Sequence, residues 1–165
     1  MMDAGIIEHG ERFELVGGEL IAMASKGIPH EALKLALTDF WIKNRPDHLR
    51  VAPESALRLG PNDEPEPEFF VFPASMPPAD VRGPTVLLVV EIADSSLAKD
   101  KTVKALRYAL HGVREYWVVN ARTRDTAIFT EPTETGFARR REAPGDELLI
   151  PILAPELAVR LTSLK

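Results

Sequence analysis

The chain has 165 residues, 45% of them hydrophobic, and a formal net charge of −5. That length predicts a single domain spanning 1–165 with enough apolar material for a sizeable core. The absence of cysteine excludes disulfides and zinc–thiolate centres, and the acidic balance argues against bulk electrostatic binding of nucleic acid, because phosphate contacts need cations.

Met1-Met2-Asp3-Ala4 lacks the basic start and apolar centre of a signal peptide, and no apolar run nears membrane-spanning length. A soluble cytoplasmic protein with no membrane partner is expected.

Residues 13–16 and 19–23 flank Gly17-Gly18 and read as a hairpin closed by a primed two-residue turn. Pro29 suits a first helical turn, and Ala32, Leu33, Ala36, Leu37, Phe40 and Trp41 recur at helical spacing over 30–41. Asn44-Arg45-Pro46-Asp47 stops that helix. Short strands are expected at 49–52 and 55–59, with Pro53 between them marking an edge or a bend. Residues 60–65 form a turn, 68–72 a strand, and the proline-rich 73–84 an irregular surface loop.

Residues 85–92 are the clearest strand, apolar on both faces and therefore central. Ser95 or Ser96 would cap the next helix, from about 97 to 110. Its apolar positions are Leu97, Val103, Leu106 and Leu110, and its polar stripe is Asp100, Lys104, Arg107 and His111, with Gly112 as the stop. Strands at 115–119, 126–130, 136–141 and 148–153 complete a β-meander. The order predicts an α/β (α+β) fold, a mixed sheet flanked by two helices.

Glu68 opens one strand and Glu91 closes the next. If the two pair in antiparallel fashion, these acids meet at one sheet edge, where Asp100 and Lys104 can reach them. Two or three acids with a lysine form a hard-oxygen site suited to Mg²⁺ or Mn²⁺. Such an ion acidifies bound water and neutralises charge on a phosphoryl oxygen, while a lysine orients the water or stabilises the pentavalent state.

Several blocks together resemble the Uma-two family, small bacterial proteins classed as restriction endonucleases of the PD-(D/E)XK nuclease superfamily. They are Arg12-Phe13-Glu14-Leu15-Val16-Gly17-Gly18-Glu19-Leu20, Pro29-His30, Glu66-Pro67-Glu68, 90–98 beginning Val90-Glu91-Ile92-Ala93-Asp94, Asp100 with Lys104, and Gly112-Val113-Arg114-Glu115-Tyr116-Trp117 continuing to Asn120. The resemblance implies a restriction-endonuclease-like central mixed sheet with an N-terminal β-hairpin and a C-terminal β-meander. It also implies a divalent-metal site for DNA phosphodiester hydrolysis. Carried over residue by residue, Glu68 stands at the family's Asp after Pro and Glu91 at its second acid. Both would be metal ligands, with Asp100 and Lys104 as further catalytic residues. Glu19 and His30 match an acid in the hairpin and a histidine at the helix start, as accessory positions. Two departures stand out. Pro67-Glu68 replaces Pro-Asp, which extends the carboxylate by roughly 1.5 Å. Ala93 occupies the place two residues after Glu91 where the wider superfamily keeps its lysine.

Each residue also has a plainer reading. Glu91 could pair with Lys104 or Arg107 at a strand end, and Asp100 with Lys104 could be a surface ion pair worth roughly 0.3–0.5 kcal/mol. Glu19 reads as a turn residue and His30 as a capping or packing residue. Tyr116 and Trp117 read as core or dimer contact, and the basic run Arg139-Arg140-Arg141 as a charged edge strand or a weak phosphate cue. Three functions therefore stand side by side: a Mg²⁺-dependent endodeoxyribonuclease, a catalytically weak or inactive nuclease-fold module binding nucleic acid or protein, and a structural homodimer.

Overall fold

The computed structural model describes residues 12–23 and 25–165, so the segment on which the signal-peptide reading rests lies outside the described residues. The chain opens with the expected hairpin, β1 (Phe13–Val16) against β2 (Glu19–Ala22), paired Val16↔Glu19 and Phe13↔Ala22. Gly17 and Gly18 both have positive φ, 61° and 84°, as a primed turn demands and as side chains resist. Helix α1 (Ile28–Asn44) follows, with Pro29 in its first turn, and buries Leu33, Leu37 and Trp41.

Six strands form the main sheet: β3 (Leu49–Pro53), β4 (Phe69–Pro73), β5 (Leu88–Ala93), β6 (Glu115–Asn120), β7 (Thr126–Thr133) and β8 (Gly136–Ala143), in spatial order of their numbers. Only β5 and β6 run parallel; the other neighbours are antiparallel. A parallel pair needs a long crossover. Here a helical run supplies it: α2 (Leu97–Lys99), a π-helical turn (Asp100–Lys104) and α3 (Ala105–Leu110).

All of β5 is buried, in keeping with its two apolar faces. One face, with Phe69, Val71, Leu88, Val90 and Trp117, packs on α1 and the C-terminal Leu157 and Leu161. The other, with Phe70, Val89, Tyr116, Val118 and Phe129, packs under α3 through Ala105 and Tyr108. Tyr116 and Trp117 are both core residues, buried to 0% and 1% exposure, so neither is available as a dimer contact.

Four local expectations are corrected. Residues 55–59 form no strand: Leu57 and Leu59 are buried, but their amides bond to Pro65 and Asp63 within a loop bounded by prolines. The segment expected as a strand over 148–153 does not extend the meander. Only β9 (Leu148–Leu149) forms, before Pro151, and it pairs with β10 (Val159–Arg160) in a separate two-stranded sheet. No serine side chain caps α2; Ser96 Oγ instead donates to Asp100 Oδ2 at 2.6 Å. The apolar positions of the helical run also fail to form its buried face. Val103, Leu106 and Leu110 are 41–45% exposed, whereas Asp100, Lys104 and Tyr108 are buried. Of the polar stripe, Asp100 and Lys104 face the charge-lined cavity, while the half-buried Arg107 and His111 pair with Asp63.

Candidate active site

The register Phe69↔Val90 sets the geometry. One step further along the same ladder, Glu68 precedes β4 and Glu91 continues β5, so both acids emerge on the face covered by the helical run. Lys104 descends from the π-helical turn onto Glu91. Its Nζ lies 2.9 Å from Glu91 Oε1, 3.0 Å from Glu14 Oε2 and 3.7 Å from Asp100 Oδ1. Tyr108 donates its hydroxyl to the same Glu91 oxygen at 3.1 Å, and Tyr116 donates to the Asp100 carbonyl at 3.0 Å.

Glu68 is held from the other side. His30 Nε2 lies 2.9 Å from its Oε1, and Lys26 Nζ 3.1 Å from the same oxygen. Lys26 is also bound to Glu54. These groups surround one cavity of about 50 Å³, lined by Glu14, Lys26, His30, Glu68, Glu91, Asp100 and Lys104 among others. That is room for a water or two, or a small ion.

Charge balance decides the electrostatics. Around Lys104, three buried carboxylates face one ammonium. Burial pushes Glu91 up to about 8; Lys104 counters this, and Asp100 and Glu14 reinforce it. Burial likewise raises Asp100 against the pull of Lys104 and Ser96. Burial works against the Lys104 charge, but Glu91, Asp100 and Glu14 outweigh it and hold the ammonium above the ordinary lysine range. The Tyr108 hydroxyl, buried beside Glu91, is held well above its usual value and stays a donor.

Of the residues singled out in the sequence, Glu68, Glu91, Asp100, Lys104 and His30 share the cavity. Glu19 does not. It is exposed, sits opposite Val16 at the start of β2, and lies outside the lining. The sequence reading missed Glu14, Lys26 and Lys99. Glu14 is 3% exposed and is gripped by Lys104 and, at 3.2 Å, by Lys99. Strand alternation carries the signal for it: Glu14 shares a face with Val16, a core residue.

The donors fit a hard divalent cation in kind, being carboxylate oxygens in excess over the ammonium that faces them. Among the described residues, no three His, Asp or Glu side chains are already gathered at metal-holding spacing. Lys104 and Tyr108 take one Glu91 oxygen, whereas both oxygens of Glu68 are engaged, Oε1 by His30 and Oε2 by a hydrogen bond from Lys26 at 3.3 Å.

A mixed six-stranded sheet, a parallel pair bridged by a helix and a carboxylate–lysine cluster at the strand ends define an α/β protein of the nuclease-like class. The same architecture occurs in a crystal structure described as a "putative nuclease belonging to DUF820" from Anabaena variabilis. The two align with a TM-score of 0.69 at 17% identity, covering 97% of this chain and 93% of that one. The chain belongs to the Uma2 family, described as "Putative restriction endonuclease", whose profile matches residues 2–162. Among curated proteins, none matches. Among the described residues no helix is long and apolar enough to cross a membrane.

Proposed function

We propose that this protein is a metal-dependent endonuclease hydrolysing DNA phosphodiester bonds, with Glu68 and Glu91 as the ligands of Mg²⁺ or Mn²⁺. The observation that carries this reading is the meeting of Glu68, Glu91, Asp100 and Lys104 around one cavity, in a chain of a nuclease family. The bound ion would supply an acidified water and charge neutralisation at the phosphoryl group.

The chain's own residues do the rest. Glu68 and Glu91 present carboxylates from adjacent strand ends, which fixes their separation on rigid elements. Lys104 stays protonated, orients the attacking water and stabilises the pentavalent phosphorus by its charge. Asp100 holds Lys104 at one helical turn and is itself fixed by Ser96. His30 and Lys26 hold the longer Glu68 side chain that replaces Asp.

The test is plasmid cleavage in Mg²⁺ by the wild type and by Glu91→Ala. The wild type is expected to nick and the variant to lose at least about 10²-fold. Equal cleavage by both would assign the activity to a contaminant and end this reading. A second reading, a nuclease-fold module without turnover that binds nucleic acid or protein, draws on one observation: the acids are already partnered by protein cations and no metal-ready trio is gathered among the described residues. Calorimetry separates the two. Absence of any Mg²⁺ or Mn²⁺ heat up to millimolar concentration favours the module.

A further inference from the structure

One cation-sized position at the centre of this cluster is filled by the protein itself. Lys104 Nζ contacts Glu91, Glu14 and Asp100, yet only the Glu91 contact is a hydrogen bond. An ammonium has three protons to donate. Glu14 Oε2 is buried and, among the described residues, makes no hydrogen bond, although Lys104 lies 3.0 Å away. An acceptor with a free lone pair thus stands beside a donor engaged elsewhere. The other oxygen of Glu14 is fixed by Lys99 at 3.2 Å, so the carboxylate is held in place from behind.

We propose that Lys104 is the resident counter-ion of Glu91, that it releases this carboxylate when a divalent cation is bound, and that Glu14 then keeps the ammonium at the rim as a positioning residue. The proposal rests on the metal-dependent reading above. Its physical basis is the penalty on unpaired buried charge. A Lys104 expelled from Glu91 into an apolar surround would be strongly disfavoured, whereas a small torsional move on its four-carbon stem transfers it to Glu14 without leaving the cluster. The hairpin, a two-stranded unit outside the main sheet, thereby contributes to a site otherwise built from the sheet edge at Glu68 and Glu91, the start of α1 and the helical run.

The test is Mn²⁺ titration by calorimetry of the wild type, Lys104→Met, Glu14→Gln and the double variant, each checked for folding by circular dichroism. With the competing ammonium gone, Lys104→Met is expected to bind Mn²⁺ about ten-fold tighter. Glu14→Gln is expected to weaken binding about five-fold in the wild-type background and less than about two-fold in Lys104→Met, because its effect acts through the lysine. Binding by Lys104→Met no tighter than wild type, or an equal effect of Glu14→Gln in both backgrounds, overturns the exchange and leaves the metal reading standing. No heat in any variant overturns both. Should Lys104→Met fail to fold, ¹⁵N spectra of the wild-type lysine ammonium groups decide. The Lys104 signal, assigned by its loss in Lys104→Arg, is expected to move at saturating Mg²⁺, and a fixed signal overturns the exchange.

Discussion

Among the buried carboxylates met by the helical run from Leu97 to Leu110, Asp63 and Glu91 are treated oppositely. At its C-terminal end Asp63 receives Arg107 Nε at 3.0 Å and the Arg107 terminal nitrogen, His111 at 2.8 Å, and the Gly17 amide at 2.6 Å. Burial alone would raise Asp63, but these donors outweigh it and hold the acid down to about 2. Over the cavity, Glu91 shares one ammonium with Asp100 and Glu14 and is pushed up to about 8. Where donors outnumber acids, the cluster is closed and ties the hairpin turn to α3. Where acids outnumber ammonium groups, burial and like charge favour the protonated form of Glu91, and a further cation would release its negative charge.

The sharpest way to separate the two ends is by activity. Glu91→Ala is expected to remove at least about 10²-fold of Mg²⁺-dependent cleavage, while Asp63→Asn leaves cleavage within a few-fold. Stability should rank them the other way round. Asp63→Asn breaks a satisfied cluster and is expected to cost about 2 kcal/mol, read as a lower urea midpoint at unchanged slope. If Asp63→Asn also abolishes cleavage in a folded protein, the division between the two clusters fails.

Acidity gives a third, smaller contrast. Asp63 has a lowered folded value, so its contribution is present above pH 3.8 and is lost as pH falls towards about 2. Glu91 has a raised value, so the metal-free protein is most favoured below pH 4.5 and loses that contribution as pH rises through about 8. Denaturation across this range should show wild-type stability declining towards pH 8 and a shallower decline in Glu91→Gln. The smallest effect belongs to Glu19→Ala. Its exposed position predicts a stability change within about 0.5 kcal/mol and unchanged cleavage.

How much was legible in the sequence follows from where each signal lies. The apolar run of β5 and its terminal Glu91 announced a central strand with an acid at its mouth, because two-sided burial leaves no alternation. The meeting of Glu68 with Glu91 followed once the two strands were taken as antiparallel neighbours joined by the proline-rich loop, and the register Phe69↔Val90 bears that pairing out. The approach of Asp100 and Lys104 to Glu91 was legible, but the exposure of the apolar positions of the helical run was not. Periodicity assigns the apolar stripe to the core, yet Val103, Leu106 and Leu110 face outward while Asp100 and Lys104 face the cavity. Helical spacing tells that two stripes exist; only the partners beneath decide which one is buried. Glu14 stayed hidden for a related reason: its cations come from a helix 85 residues downstream, beyond any local pattern.

The π-helical turn Asp100–Lys104 holds one residue more than regular winding would need. Loss of a single residue from 101–103 would let the run revert to an ordinary helix, with Asp100 and Lys104 three positions apart and turned by only about 30° relative to each other. The hydrophobic layers would survive such a deletion, and both side chains would still face the cavity. The extra residue is therefore one that a relative could lack while keeping both the architecture and the ionic cup, whereas replacement of Glu91 is expected to silence the site outright.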